Sequence, residues 1–308
     1  METINSYLDY RIEKGTLYET DKESVLNMYT NLITYNYDEI FSSHQTILSK
    51  KNYDIHYDTE NETLVDNLID NTVYKMASVS ASTITTSEIS GTVHKTYVVH
   101  NNNSFKEYII INGILEIYFQ QQYHSILNSI VNNTVLIVPE ILRYGLVNND
   151  NKTYLFFEMP YYKPTTINIE SNDNVDIIYE YNRLLNNCRN MLQSLNLIDT
   201  IHSEHNIFHN DISVITTSQI EMFINQILTY DINDEASRQS FYKDVLEDNM
   251  FNKTIDLFDP NIFTYNNQSC ILIDFEEASR LSNRVIITNI NYYLFRRNNP
   301  ITNIMRVN

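Results

Sequence analysis

Polar and apolar positions change their period several times along this chain, and each change predicts an element. Between Glu23 and Ile40 the spacing of Leu26, Met28, Leu32 and Ile33 suits an amphipathic helix. Thr20-Asp21-Lys22-Glu23 in front of it has the form of a capping box, with Thr20 as the expected N-cap. Residues 72–100 alternate instead. TVYKMASVSAST, ITTSEISG and TVHKTYVVH are rich in Val, Thr, Ser, Ile and Tyr and predict three strands. A helical pattern resumes at Ser104 with SFKEYIIINGILEIYFQQQYHSIL. Two apolar runs follow. Val135–Leu142 is interrupted by Pro139, which points to an edge or a strand start, and Tyr154–Met159 reads as a buried strand. Arg143-Tyr144-Gly145 and Asn148–Asn151 supply the expected turn between them. From Ile177 to His202 a broad apolar stripe predicts a core helix, and residues 218–256 read as two amphipathic helices with acidic outer faces. Asn261-Ile262-Phe263, a polar turn at Tyr265–Gln268 and a short strand Cys270–Ile273 come next. The expectation is an α+β chain: an acidic N-terminal extension over 1–70, a β-rich part over 71–160, and a helical part over 161–308 with an insertion at 218–256.

Composition narrows the classes. The 308 residues are 43% hydrophobic, enough for a sizeable core, and carry a net charge of -18. That charge argues against non-specific nucleic-acid binding and against an anionic membrane surface, both of which need cationic patches. A basic protein partner or a locally positive cleft stays compatible with it. Two cysteines without metal spacing, Cys188 and Cys270, fit a reducing compartment. The start, with Glu2, Asp9 and Glu13, has no apolar signal-peptide core, and no run approaches a membrane span, so a cytoplasmic location is expected. The bias to Asn, Ile and Tyr, with four Gly and no Trp, suits an A/T-rich coding genome such as that of a large DNA virus, a parasite or an intracellular bacterium.

The chemistry concentrates in two stretches. Ile201–Ile212 contains His209-Asn210-Asp211, and the apolar run Cys270–Ile273 delivers Asp274-Phe275-Glu276. Two aspartates on separate segments suit phosphoryl transfer, one orienting a hydroxyl nucleophile and the other holding Mg2+ against ATP phosphates. Lys95 lies within the third predicted strand, and an inward-facing lysine there needs a carboxylate or an anionic ligand. Glu107 and Glu116 on the following helix are its two candidate partners. Ala77–Ser82 is a small-residue turn that could lie over phosphates but lacks the usual glycines. His202 and His205 have no third ligand type beside them and read as ordinary helix-end histidines.

In this order the parts resemble the protein-kinase-like superfamily, over roughly residues 72 to 280. The carriers are three strands with Lys95, a helix with a glutamate, two strands ending in Glu158-Met159-Pro160, a core helix before His209-Asn210-Asp211, and Asp274-Phe275-Glu276 after a strand. The HND and DFE variants are similar to those of choline/ethanolamine and aminoglycoside kinases, and HND also occurs in kinases of large DNA viruses. The resemblance implies a two-lobed fold with a small β-rich N-lobe and a reduced helical C-lobe. It implies ATP and Mg2+ as cofactors and, for a viral chain, the host cytoplasm as location. It implies Lys95 on the α- and β-phosphates, oriented by Glu107 or Glu116, and Asp211 as the catalytic carboxylate. Asn261 and Asp274 would be metal ligands, with Glu158, Met159 and the hinge through Tyr161 receiving the adenine. The chain departs from the pattern in several places. Thr216 stands where the catalytic-loop asparagine is usual, so Asn261 takes that role only if 218–256 is an insertion, which loop-closure entropy tolerates. The DFG glycine is Glu276, and no Ala-Pro-Glu motif follows. A hydroxyl-directed phosphotransferase and a catalytically inactive pseudokinase that binds a protein partner are therefore both expectations, with an unrelated α+β structural protein as the third.

Overall fold

The computed structural model describes residues 2–41, 45–49, 82–87, 91–100, 106–149, 152–162, 176–210, 212, 217–247 and 261–282. The first of the three predicted strands falls almost wholly outside these residues, as do Ala77–Ala81. The chain is a mixed α and β structure with two sheets among the described residues.

Helix α1 (Glu2–Glu13) buries Ile4, Tyr7, Leu8 and Arg11, a stripe at helical spacing. Helix α2 (Glu19–Thr30) starts one residue before the expected cap. Tyr18, not Thr20, is the N-cap, because the Asp21 carboxylate reaches back to the Tyr18 N–H at 3.0 Å. The helix also stops short of Ile40. Beyond Asn31 the chain turns into strand β1 (Thr34–Tyr35), whose β-prone residues pair parallel to a strand far along the sequence, and then into a short helix α3 (Tyr37–Phe41).

Strands β2 (Gln45–Ser49), β3 (Ser82–Ser87) and β4 (Thr92–His100) form an antiparallel run. Helix α4 (Lys106–Ser129) follows, then β5 (Leu136–Ile137), β6 (Arg143–Asn149) and β7 (Lys152–Pro160). The expected turn at Arg143-Tyr144-Gly145 is the start of β6. Gly145 marks a close approach rather than a reversal: a Cβ there would lie 2.5 Å from the Ile33 carbonyl, beside β1. The six-stranded sheet runs β1-β6-β7-β4-β3-β2. Its central strand β7 pairs antiparallel with both β4 and β6.

Alternation along β4 and β7 divides the sheet. Val93, Tyr97, Leu155, Phe157 and Met159 join the main core with α4, while Phe156 packs with Ile40 and Val147 on the other face. Helix α4 is buried almost all round, with the sheet on one side and α1 and α2 on another. Gly113 lets it lie close to the sheet. A Cβ there would sit 2.4 Å from Leu155 Cδ2 and 3.0 Å from Tyr97 Cδ2.

Helix α5 (Ile177–His205) is the expected core helix. Asp176 caps its start, accepting from the Tyr179 N–H at 3.0 Å, and Asn206 ends it in the left-handed conformation (φ 51°). Residues 217–247 hold α6 (Thr217–Ile227), α7 (Glu235–Phe241) and a π-helical turn (Tyr242–Glu247). Strands β8 (Ile262–Tyr265) and β9 (Ser269–Leu272) form a hairpin, and β5 adds to it in parallel, giving the order β5-β9-β8. Pro139 lies just beyond β5, as a residue without an N–H must.

Candidate functional site

Lys95, Glu116 and Asp274 come from β4, the middle of α4 and the end of β9, and they meet in the core. Lys95 Nζ lies 2.8 Å from Glu116 Oε1 and 2.5 Å from Asp274 Oδ1. Glu276 adds a third carboxylate oxygen at 3.4 Å. The first two contacts join positions 21 and 179 residues apart. Lys95, Glu116 and Asp274 are buried, at 2%, 1% and 7% exposure. Tyr97, two residues beyond Lys95 on the same face of β4, donates its hydroxyl to the second Glu116 oxygen, and its ring lies 5.5 Å from the Lys95 ammonium.

Of the two glutamates offered for Lys95, the structure brings Glu116 to it and not Glu107. Glu107 sits in the first turn of α4, some nine residues or about 13 Å along the axis, where its charge acts on Tyr29 of α2. Gly113 lies one turn before Glu116, which is why α4 approaches β4 closely enough for the pair to form.

The site is over-supplied with negative charge, three carboxylates to one ammonium. Burial disfavours the charged Lys95, yet Asp274, Glu116 and Glu276 together hold its pKa well above the ordinary value. Glu116 is pushed up to about 7, first by desolvation and then by repulsion from Asp274 and Glu276, with Lys95 opposing. Burial and the Glu116 charge raise the Tyr97 phenol well above its usual range.

Behind these side chains two segments are stitched together. Phe208 and Ser279 exchange backbone hydrogen bonds of 2.8 and 3.0 Å. The His209 ring, fully buried, donates from Nε2 to the Ile273 carbonyl at 2.8 Å and packs on Phe275 at 4.6 Å. Asn210, in the left-handed region (φ 66°), spans Glu277 O, Ser279 Oγ and Leu281 O at 2.9–3.1 Å. Asp274 too is left-handed (φ 67°), a conformation aspartate tolerates better than most residues, and it lies two residues past the end of β9. Asp211 lies outside the described residues. Asn261 is buried, and its carbonyl accepts from the Ile273 N–H at 2.9 Å, which sets it beside the Asp274 turn.

Glu158 and Met159, the residues expected at the hinge, are strand residues. Both lie inside β7. The Glu158 carbonyl accepts from the Leu142 N–H at 2.8 Å, and its carboxylate is held by Arg143 with His94 at 3.4 Å. The Glu158 pKa is lowered: burial opposes this, and hydrogen bonds from Arg143 and Thr92 prevail. Met159 is buried with its sulfur 3.6 Å from Gln120 Nε2. His202 accepts from the His209 N–H at 3.3 Å through Nε2, a structural role, and His205 is exposed. Both cysteines are buried thiols, with burial raising Cys188 to about 12 and Cys270 to about 11.

Sequence reasoning missed Tyr97 and Glu276 as members of the cluster. The signal for Tyr97 was its two-residue offset from Lys95 on a strand, and for Glu276 its two-residue offset from Asp274.

No protein-family model matches the chain, and no curated protein matches it. Among the described residues, no group of three or more His, Cys, Asp or Glu is arranged to hold a metal ion by protein ligands alone, and no helix is long and apolar enough to cross a membrane. Mg2+ needs no such cage, since it commonly takes one or two carboxylates and completes its shell with water and phosphate oxygens.

Proposed function

We propose that the chain is an ATP- and Mg2+-dependent phosphotransferase of the protein-kinase-like kind, acting on a hydroxyl group. The observation that carries this is the meeting of Lys95 with Glu116 and Asp274 in one buried cluster. A buried ammonium held by a helix glutamate, beside a carboxylate at a strand end, is what binding and neutralising a polyphosphate requires. In this reading the six-stranded sheet with α4 is the smaller lobe, and α5–α7 with the three-stranded sheet form a reduced second lobe.

Lys95 would bind phosphate oxygens, with Glu116 and Tyr97 holding it in place. Asp274 and Asn261 would hold Mg2+, which when bound neutralises phosphate charge. The Asp211 carboxylate would accept the proton of the substrate hydroxyl. The base would lie past Glu158 and Met159, nearer Pro160–Tyr162 where β7 ends.

The test is thermal stability of the purified chain with ATP, with and without Mg2+, for the native protein and Asp274→Asn. Asparagine keeps the left-handed tolerance of the position and removes the charge. A Mg2+-dependent rise in melting temperature that Asp274→Asn abolishes is the expected result. Equal shifts in the two proteins would remove Asp274 from the metal and with it this reading.

One observation favours a second reading. Lys95 is 2% exposed and has three carboxylates within 3.4 Å, so an incoming phosphate must displace part of its present shell. A pseudokinase that binds a protein partner without nucleotide would keep this cluster closed. Absence of any nucleotide-induced shift, with partner binding that survives Asp274→Asn, would support that reading instead.

A further inference from the structure

The segment that follows the Asp274–Glu276 turn is gripped from the far end of the chain. Arg280 pairs with Asp21 of α2 in a two-pronged contact, Nε to Oδ2 at 2.9 Å and Nη2 to Oδ1 at 2.7 Å, across 259 residues. The same carboxylate accepts the Tyr118 hydroxyl of α4 at 2.6 Å and the Tyr18 N–H at 3.0 Å. Asp21 is 2% exposed and fully engaged. Arg280 makes four further contacts: its N–H donates to the Thr16 carbonyl at 3.0 Å, Nη1 donates to the His205 carbonyl at the end of α5 at 3.1 Å, and its guanidinium lies 4.9 Å from the Tyr18 ring and 5.8 Å from the Phe119 ring. One buried ion pair thus joins the N-terminal helices, α4, the end of α5 and the loop that carries Asp274.

Its position on α4 matters. Tyr118 lies two residues past Glu116, about 200° around the helix. Asp21 therefore holds the back of α4 while Glu116 faces Lys95 on the front. Rotation of α4 about its axis and displacement of the Asp274 turn are both opposed by the same carboxylate. A buried, bidentate arginine–carboxylate pair gives this kind of geometric specification, whatever its net contribution to stability.

We infer that Asp21 and Arg280 are positioning residues: the N-terminal helices act as a built-in clamp that sets the Asp274–Glu276 turn against Glu116 of α4. The consequence for nucleotide affinity rests on the phosphotransferase reading; the mechanical coupling does not.

The experiment uses the full chain and three variants. Asp21→Asn removes the charge, Arg280→Lys keeps the charge but loses the fork, and Tyr7→Phe removes a hydroxyl that donates to Asn112 of α4 at 2.7 Å and accepts from Arg11 at 3.2 Å, away from the Asp21–Arg280 pair. Amide hydrogen exchange is followed in residues 2–30, 106–129 and 261–282, and Mg2+-dependent ATP affinity is measured in parallel. Asp21→Asn and Arg280→Lys should each speed exchange at least tenfold in both 106–129 and 261–282, and should weaken ATP affinity at least tenfold. Tyr7→Phe should leave 261–282 and the affinity unchanged. Faster exchange confined to residues 2–30 overturns the clamp; unchanged affinity despite loosening of both segments overturns its consequence for nucleotide binding. Should the native protein bind no ATP with Mg2+, the phosphotransferase reading falls, and exchange alone decides the clamp. Should Asp21→Asn not fold, Arg280→Lys decides it.

Discussion

Glu116→Gln is the substitution that most directly interrogates the charge balance of the cluster. In the folded chain this carboxyl is pushed up from about 4.5 to about 7, by burial first and by Asp274 and Glu276 next. A carboxyl whose folded pKa is raised contributes stability below its unfolded pKa and loses it as pH rises through the folded value. Two and a half units at about 1.4 kcal/mol each give roughly 3 kcal/mol lost between about pH 4.5 and pH 7. Glutamine keeps the shape and an oxygen that can accept from Lys95 or Tyr97, but it cannot ionise. Lys95 retains Asp274 and Glu276 as counter-charges. The stability difference between Glu116→Gln and the native chain should therefore move in favour of the variant by about 2–3 kcal/mol between pH 5 and pH 8. Effects of the substitution that do not depend on pH cancel in that comparison, and so do the shared histidines. Urea denaturation at the two pH values measures it, with the slopes checked for constancy. Parallel pH profiles for the two proteins, or a variant that loses ground at pH 8, would refute the claim that burial and the neighbouring carboxylates oppose ionisation of Glu116.

Lys95→Met leaves three carboxylates without their cation and should cost about 3–5 kcal/mol at pH 8, with a smaller loss at pH 5 where Glu116 is protonated; the same denaturation series checks it. Gly113→Val should destabilise by about 1–3 kcal/mol, because its side chain meets Leu155 and Tyr97 before α4 can reach its present distance from the sheet. Melting at pH 7 reports it, and an unchanged melting temperature would contradict the close approach. Asn206→Gly should be neutral or slightly stabilising and Asn206→Val should lose about 1–2 kcal/mol, since the residue closes α5 at φ 51°; equal stability of the two variants would argue against the left-handed cap.

The local periods of the chain carried much of this structure. Lys95 and Tyr97 fall on one face of a strand that alternation reveals, and the apolar stripe that predicts α5 is buried from Tyr181 to Ile201, while Ile178 at its start is exposed. The failures have physical causes. Arg143-Tyr144-Gly145 looks like a turn, yet β6 pairs along its whole length with β7, the reversal falls at the asparagines that follow, and the glycine instead makes room for β1. Thr20 is a good cap in isolation, but the Asp21 carboxylate also has Arg280 and Tyr118 to satisfy, and that tertiary demand moves the helix start. Choosing Glu116 over Glu107 needed the sheet's position. Only Gly113, one turn before Glu116, hinted at which part of the helix lies closest. The Asp21–Arg280 pair leaves no local trace, because nothing in either neighbourhood requires a partner 259 residues away. Glu158 lies inside β7, and its carbonyl is taken by the Leu142 N–H, a demand of the neighbouring chain that the local motif does not display.

The small sheet imposes an order on biosynthesis. Among the described residues, strand β5 is an edge paired in that sheet with β9 alone, and the contact between Thr134 and Ser269 beside it spans 135 residues. At about 5–20 residues per second, a ribosome needs roughly 7 to 27 s to make the intervening chain. Throughout that interval the nascent β5 presents an unsatisfied backbone edge next to the apolar residues Val138 and Ile141, while Lys95 waits for Asp274. The six-stranded sheet has all its strands by then; the site does not. A slow ribosome would prolong the sticky interval, so yield in cells should respond to translation speed and to chaperones that shield strand edges more than to the final stability of the protein.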